Sequence, residues 1–201
     1  MPVKEGYYTK FDVMQSLPEW DSHTREIVQQ RLHGSDTYAN LTIIEAEILK
    51  SLCQHMTGEE RPDVIQYAVT HLDQQSAAAK GESQRKAGTP PLGKLIANGL
   101  QAFELSVRGE CIVSFLELEA GKQLEIVQKI RQGHYDRHSC WLERNISPNV
   151  WFQKLLGIFT EAVYSHPVVW SEIGYAGPAY PRGYVRVGLH DIDPWEAIMD
   201  V

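Results

Sequence analysis

LTIIEAEILKSLCQHMTG, residues Leu41 to Gly58, decides the fold. Thr42 and Glu45 stand at capping-box spacing, where a threonine side chain takes an amide of the first turn and a glutamate reaches back to the cap amide. Ile44, Ile48, Leu49, Leu52, Cys53 and Met56 then recur at the intervals of one helical face. Gly58 supplies the residue that ends a helix in the left-handed conformation. The stretch therefore predicts an amphipathic helix. No run of any length elsewhere in the chain alternates with the period of two that a half-buried strand requires.

Similar punctuation recurs on both sides. Upstream, Asp21 or Ser22 caps a helix carrying Ile27, Val28 and Leu32, with Gly34 past its end. Downstream, Pro62 occupies a first-turn position before Val64, Ile65, Ala68, Val69 and Leu72. Leu92, Leu95, Ile96, Leu100, Phe103 and Val107 mark a fourth helix, which Gly109 is expected to end. Ile112, Phe115 and Leu116 suggest a short helix, and Leu124, Val127 and Ile130 a longer one closed by Gly133. Ser147 and Pro148 open a last helix through Trp151, Phe152, Leu155, Leu156, Phe159 and Val163. The fold class is mainly α, a single domain of about six helices.

Three regions are expected: an N-terminal arm with the first helix over 1–40, the helical domain over 41–163, and a long irregular Gly/Pro/aromatic-rich C-terminal arm over 164–201. Within the helical domain SAAAKGESQRKAGTPP, residues 76–91, lacks large apolar side chains and reads as a mobile linker.

Composition narrows the function classes. The chain has 201 residues, 43% hydrophobic and 22% charged, which is ordinary for a globular protein. Nineteen Lys and Arg against 26 Asp and Glu give a net charge of -7 with no basic stripe, which argues against a nucleic-acid partner. Cys53, Cys111 and Cys140 are odd in number and widely spaced, a pattern that suits neither a disulfide framework nor a cysteine zinc site. The opening MPVKEGYYTKFDVMQ carries no apolar leader and no twin arginine, and no run of apolar residues is long enough to cross a membrane. A cytoplasmic protein without a membrane span is expected.

Residues 164–201 pose the functional question. Tyr164, Trp170, Tyr175, Tyr180, Tyr184 and Trp195 are interleaved with Pro167, Pro178, Pro181 and Pro194 and with Gly174, Gly177, Gly183 and Gly188. Long structureless segments in compact domains are usually functional or disordered, and six large aromatics argue against disorder. Two arrangements suit them: packing over the chain's own helices, or burial against another chain. Trp, Tyr and Arg dominate interface energetics. Arg182, between Pro181 and Gly183, suits a bidentate pair with a carboxylate across an interface. The expected interface is accordingly Tyr164, His166, Pro167, Trp170, Tyr175, Tyr180, Arg182 and Tyr184.

Intrinsic chemistry finds less support. His134 and His138, with Asp136 or Cys140 nearby, have a spacing that metals use, but a closed site needs about four ligands, and the stretch reads as a polar loop. Glu-x-x-His pairs, phosphate-binding glycine loops and a G-x-S-x-G elbow are all missing from the sequence. No catalytic residue, metal or cofactor is assigned to this chain. His166, expected at a helix C-terminus, suits the dipole there. The alternatives are a stand-alone enzyme using His166, Arg182 and the Asp191 and Asp193 pair, and a homo-oligomer exchanging arms.

The residues taken in order resemble the gluconate 2-dehydrogenase subunit 3 family. Leu41, Thr42, Glu45, Ala46, Leu49 and Leu52 look like its opening helix, and Arg61, Pro62, Asp63, Val64, Tyr67 and Asp73 like its next. Asn98, Gly99, Leu100, Phe103, Phe115, Gln123 and Gly133 follow its middle section. Trp151, Phe152, Leu155 and Leu156 lead into Tyr164, Ser165, His166 and Pro167 and the glycine-rich ending. Many members have Gly-Gly-Asn where this chain has Gly174, Tyr175, Ala176 and Gly177, and a Gly-Trp where it has Gly183 and Tyr184. The resemblance implies a non-catalytic small subunit without a cofactor of its own. Its partner would be the FAD-containing large subunit of a flavin-dependent sugar or polyol dehydrogenase of the glucose-methanol-choline class.

Overall fold

A computed structural model describes residues 8–78, 88, 90–135 and 139–199. Among these residues the chain forms eight α-helices and two 3-10 helices, and no strand. The α-helices are α1 (Ser22–Gln30), α2 (Ile43–Thr57), α3 (Pro62–Ala78), α4 (Leu92–Cys111), α5 (Ala120–Arg131), α6 (Ser139–Leu142), α7 (Pro148–Ser165) and α8 (Pro167–Ile173). The mainly α class holds, with more helices than the expected six. The chain divides into two compact units, Gly34–Ala162 and a second that combines Met1–His33 with Val163–Val201.

In the Gly34–Ala162 unit the α2 capping box is complete. The Glu45 amide donates to Thr42 Oγ1 at 3.2 Å and the Thr42 amide to Glu45 Oε2 at 2.9 Å. Gly58 closes the helix with φ +74°. Ile44 nevertheless points to solvent, because the buried face of α2 begins at Ala46. Leu124 of α5 is likewise exposed, the buried positions there being Gln123, Ile126, Val127 and Ile130.

The core centres on stacked aromatics. Phe103 lies 4.8 Å from Phe115 edge to face and 5.6 Å from Trp151, which in turn lies 5.5 Å from Trp141. Gly99 of α4 is why Trp151 fits: any Cβ there would fall inside its indole ring. Trp141 Nε1 donates to Ser106 Oγ at 2.9 Å, so this buried indole is satisfied. Gln123 Nε2 donates to the Phe115 carbonyl at 2.9 Å, leaving its Oε1 to accept from Ser51 Oγ and from His55 Nε2, both at 3.0 Å. His55 Nε2 therefore carries the proton.

Gly109 does not end α4. The helix runs on to Cys111 and stops at Ile112, which takes φ +71°. Glu110 explains the extra turn: its carboxylate accepts from Tyr135 Oη at 2.6 Å and pairs with Lys129, fastening the helix end to α5 and the turn after it. The short helix expected around Ile112 is the 3-10 turn Phe115–Glu117, with Ile112 itself exposed. Of the expected linker over 76–91, Ser76–Ala78 finish α3, Leu92 already begins α4, and most of the rest lies outside the described residues.

In the second unit, a 3-10 helix over Val13–Glu19 precedes α1, whose cap is Asp21, accepting the Thr24 amide at 2.6 Å. α1 ends at Gln30, short of Gly34. α7 was expected to be the last helix, with 164–201 irregular. Instead α7 extends to Ser165 and α8 follows directly, so irregular chain begins only at Gly174. Pro167 explains the break: it has no amide to continue α7, yet its fixed φ suits the first turn of a new helix. Val13, Trp20, Val28 and Trp170 form the buried cluster of this unit, with Phe11, Met14 and Leu17 packed on it.

Candidate partner-binding surface

Ser171 and residues between Gly174 and Arg182 pack against the N-terminal segment of the same chain. Trp20 Nε1 donates to the Pro178 carbonyl at 3.0 Å, and the Val13 amide donates to Ser171 Oγ at 3.1 Å. Gly177, with φ +79°, allows the Trp20 ring to close in, since a Cβ there would lie 2.6 Å from Trp20 Cζ2. Glycine in this segment thus answers two demands at once, a left-handed backbone and a close approach.

The eight residues expected at an interface divide into two groups. His166, Pro167 and Trp170 are buried, and the Arg182 side chain is 4% exposed. His166 directly follows Ser165 at the C-terminal end of α7, its amide donating to the Val163 carbonyl at 3.2 Å. It caps α8, its Nδ1 accepting the Val168 amide at 3.3 Å. Trp170 Nε1 donates to the Tyr164 carbonyl at 2.7 Å, its ring lies 5.2 Å from Tyr175 edge to face, and Arg31 stacks on it at 5.3 Å. Arg182 pairs with Glu19 of its own chain at 3.1 Å. Tyr164, Tyr175, Tyr180 and Tyr184 are exposed.

The structure adds apolar residues that the sequence reading passed over. Val187 is 100% and Leu189 93% exposed, with Val185, Ile192, Ile198 and Met199 exposed as well. Val185, Val187 and Ile192 border an open groove of about 490 Å³ that Arg186, His190, Asp191 and Pro194 also line. The signal that could have found them is the cluster of aliphatic residues Val185, Val187 and Leu189, which the structure sets on an exposed edge of irregular chain. Beneath this edge Asp193, 1% exposed, accepts the amides of Val185 at 2.7 Å and Arg186 at 2.8 Å. Asp191 Oδ2 accepts the Gly188 amide at 2.7 Å, and Arg186 faces Glu196 at 3.7 Å.

His166, Arg182, Asp191 and Asp193, the residues of the enzymatic alternative, are thus each engaged in holding local backbone or a neighbouring side chain. Among the described residues no group of three or more His, Cys, Asp or Glu is placed to hold a metal ion. Of the stretch weighed as a metal candidate and read as a polar loop, Asp136 and His138 lie outside the described residues. No helix among the described residues is long and apolar enough to cross a membrane.

What the arrangement offers chemically is an apolar edge set on a hydrogen-bonded frame, rather than a cluster of nucleophiles or proton carriers. A family model described as gluconate 2-dehydrogenase subunit 3 matches residues 44–177, more than half of the chain, from α2 through α8 to the turn at Gly177. No curated protein and no solved structure matches it.

Proposed function

The chain belongs to the gluconate 2-dehydrogenase subunit 3 family, and from that premise we propose that it is a non-catalytic small subunit which binds and stabilises the FAD-containing large subunit of a sugar or polyol dehydrogenase. One observation carries this reading. Val187 and Leu189, 100% and 93% exposed, project from a segment that is itself anchored by Asp193 and Trp20. Exposed apolar edges of this kind mark surfaces that another chain covers. Tyr164, Tyr175, Tyr180 and Tyr184 are exposed and offer further aromatic contacts, while His166, Pro167, Trp170 and the Arg182 side chain are buried within this chain. Oxidation of the sugar takes place at the partner's flavin, and this chain contributes burial around it.

The three cysteines are free, the state that a reducing cytoplasm maintains, in keeping with a cytoplasmic complex. Co-expression of the tagged chain with a flavin-dependent sugar dehydrogenase large subunit from the same organism tests the proposal. The expected outcome is a yellow complex containing a second, larger chain, and Val187→Asp with Leu189→Asp weakens it at least about tenfold. Recovery of a colourless homodimer, or sugar oxidation by the isolated chain, would refute it.

A further inference from the structure

Arg182 is enclosed to a degree unusual for a cation in an irregular segment. Its Nη2 donates to the carbonyls of Ala176 at 2.7 Å and Pro178 at 3.1 Å, and Nη1 reaches Glu19 Oε2 at 3.1 Å. The guanidinium carbon lies 5.6 Å from the Trp20 ring centroid and 4.9 Å from that of Trp195. One side chain thus gathers three stretches: the end of the first 3-10 helix, the turn after α8, and the loop at Trp195. Nε is buried without a hydrogen-bond partner, so the site does not meet every demand of the charge it encloses.

A planar fork that donates to two carbonyls and a carboxylate while stacking on indoles is chemistry that lysine cannot reproduce. Removing a guanidinium from water is unfavourable unless its surroundings are fixed in place to receive it. The enclosure is therefore reason to expect a rigid frame at the base of the exposed edge. The frame passes directly into that edge, because Tyr184 and Val185 follow Arg182 within three residues and Asp193, which fixes the Val185 and Arg186 amides, precedes Trp195 by two.

We infer that Arg182 is a positioning residue, a latch that holds residues 176–195 in their partner-binding shape before any partner arrives. Its part in docking rests on the reading that the edge at Tyr184, Val187 and Leu189 meets the flavoprotein. Preorganisation of this kind lowers the ordering cost of association, so losing it weakens binding without removing a single contact.

The test uses the full chain as wild type, R182A, R182K and V187S, measured alone by amide hydrogen exchange and then for affinity toward the co-expressed flavoprotein. In R182A the Val185 and Arg186 amides exchange at least about tenfold faster while those of α4 are unchanged, and affinity falls at least about tenfold. R182K, which keeps the charge and loses the fork, lies between R182A and wild type in both measurements. V187S leaves exchange unchanged and weakens binding.

Unchanged exchange in both Arg182 variants overturns the latch, and weaker binding in that case would mark Arg182 as a direct contact. Should R182A fail to fold, R182K carries the same test by the same two measurements. A wild-type chain that binds no flavoprotein, while the Arg182 variants still loosen residues 185–186, refutes the docking surface and leaves the latch standing.

Discussion

Trp20 donates its indole N–H to the Pro178 carbonyl at 3.0 Å, joining residues 158 positions apart in the chain. The same ring fills the space that Gly177 leaves open and lies against Arg182. Trp20→Phe keeps most of the apolar contact and loses the hydrogen bond, at a cost of about 1 kcal/mol. Trp20→Ala also leaves a cavity, at about 3–5 kcal/mol. Urea denaturation followed by circular dichroism should rank the two in that order; equal effects would mean that the ring does not pack as described.

Gly99→Ala tests the aromatic core. Alanine raises helix propensity by up to about 1 kcal/mol over glycine. The added methyl would meet the Trp151 indole, and that ring is backed by Phe103 and Trp141 and has no simple way to retreat. Overpacking should dominate, at about 3 kcal/mol, and lower the melting temperature. A stabilised variant would show that Trp151 moves freely.

Glu59 makes stability depend on acid. Burial pushes its carboxyl up, but the Arg61 guanidinium and the amides of Arg61 and Glu60 outweigh this and hold it below its ordinary value of 4.5. A carboxylate with a lowered folded value contributes stability that is complete above the unfolded value and is lost as pH falls through the folded one. Melting temperatures of wild type and Glu59→Gln should therefore differ most at neutral pH and converge below about pH 4. A constant difference across that range would place the stabilisation elsewhere.

Cys53 should be inert. It is wholly buried, and that burial pushes its thiol up to about 12. The thiolate is the reactive form. Alkylation at neutral pH followed by peptide mass mapping should label the partly exposed Cys111 and Cys140 first, and Cys53 only after denaturation. Early labelling of Cys53 would reveal local opening of α2.

Helices were legible wherever the decisive residues are neighbours. Thr42, Glu45 and Gly58 bracket α2 as read, and Pro62 starts α3. Errors arose where a distant residue decides the outcome. Gly109 reads as a stop, yet Tyr135 and Lys129 hold the last turn of α4 through Glu110. His166 ends a helix as read and, with Pro167 beside it, also begins the next. The candidate surface was legible as a segment but not as a shape. Glu19 and Trp20, which hold Arg182, carry no local pattern that announces a partner more than 150 positions away.

The unit combining Met1–His33 with Val163–Val201 also imposes an order of events during synthesis. At about 5–20 residues per second, Trp20 leaves the ribosome on the order of ten seconds before Pro178 exists to accept its hydrogen bond. For that interval the nascent N-terminal segment has no fold of its own to complete. The apolar edge at Val185, Val187 and Leu189 follows Pro178 in the chain, so it too is made only after the N-terminal half of its unit has waited.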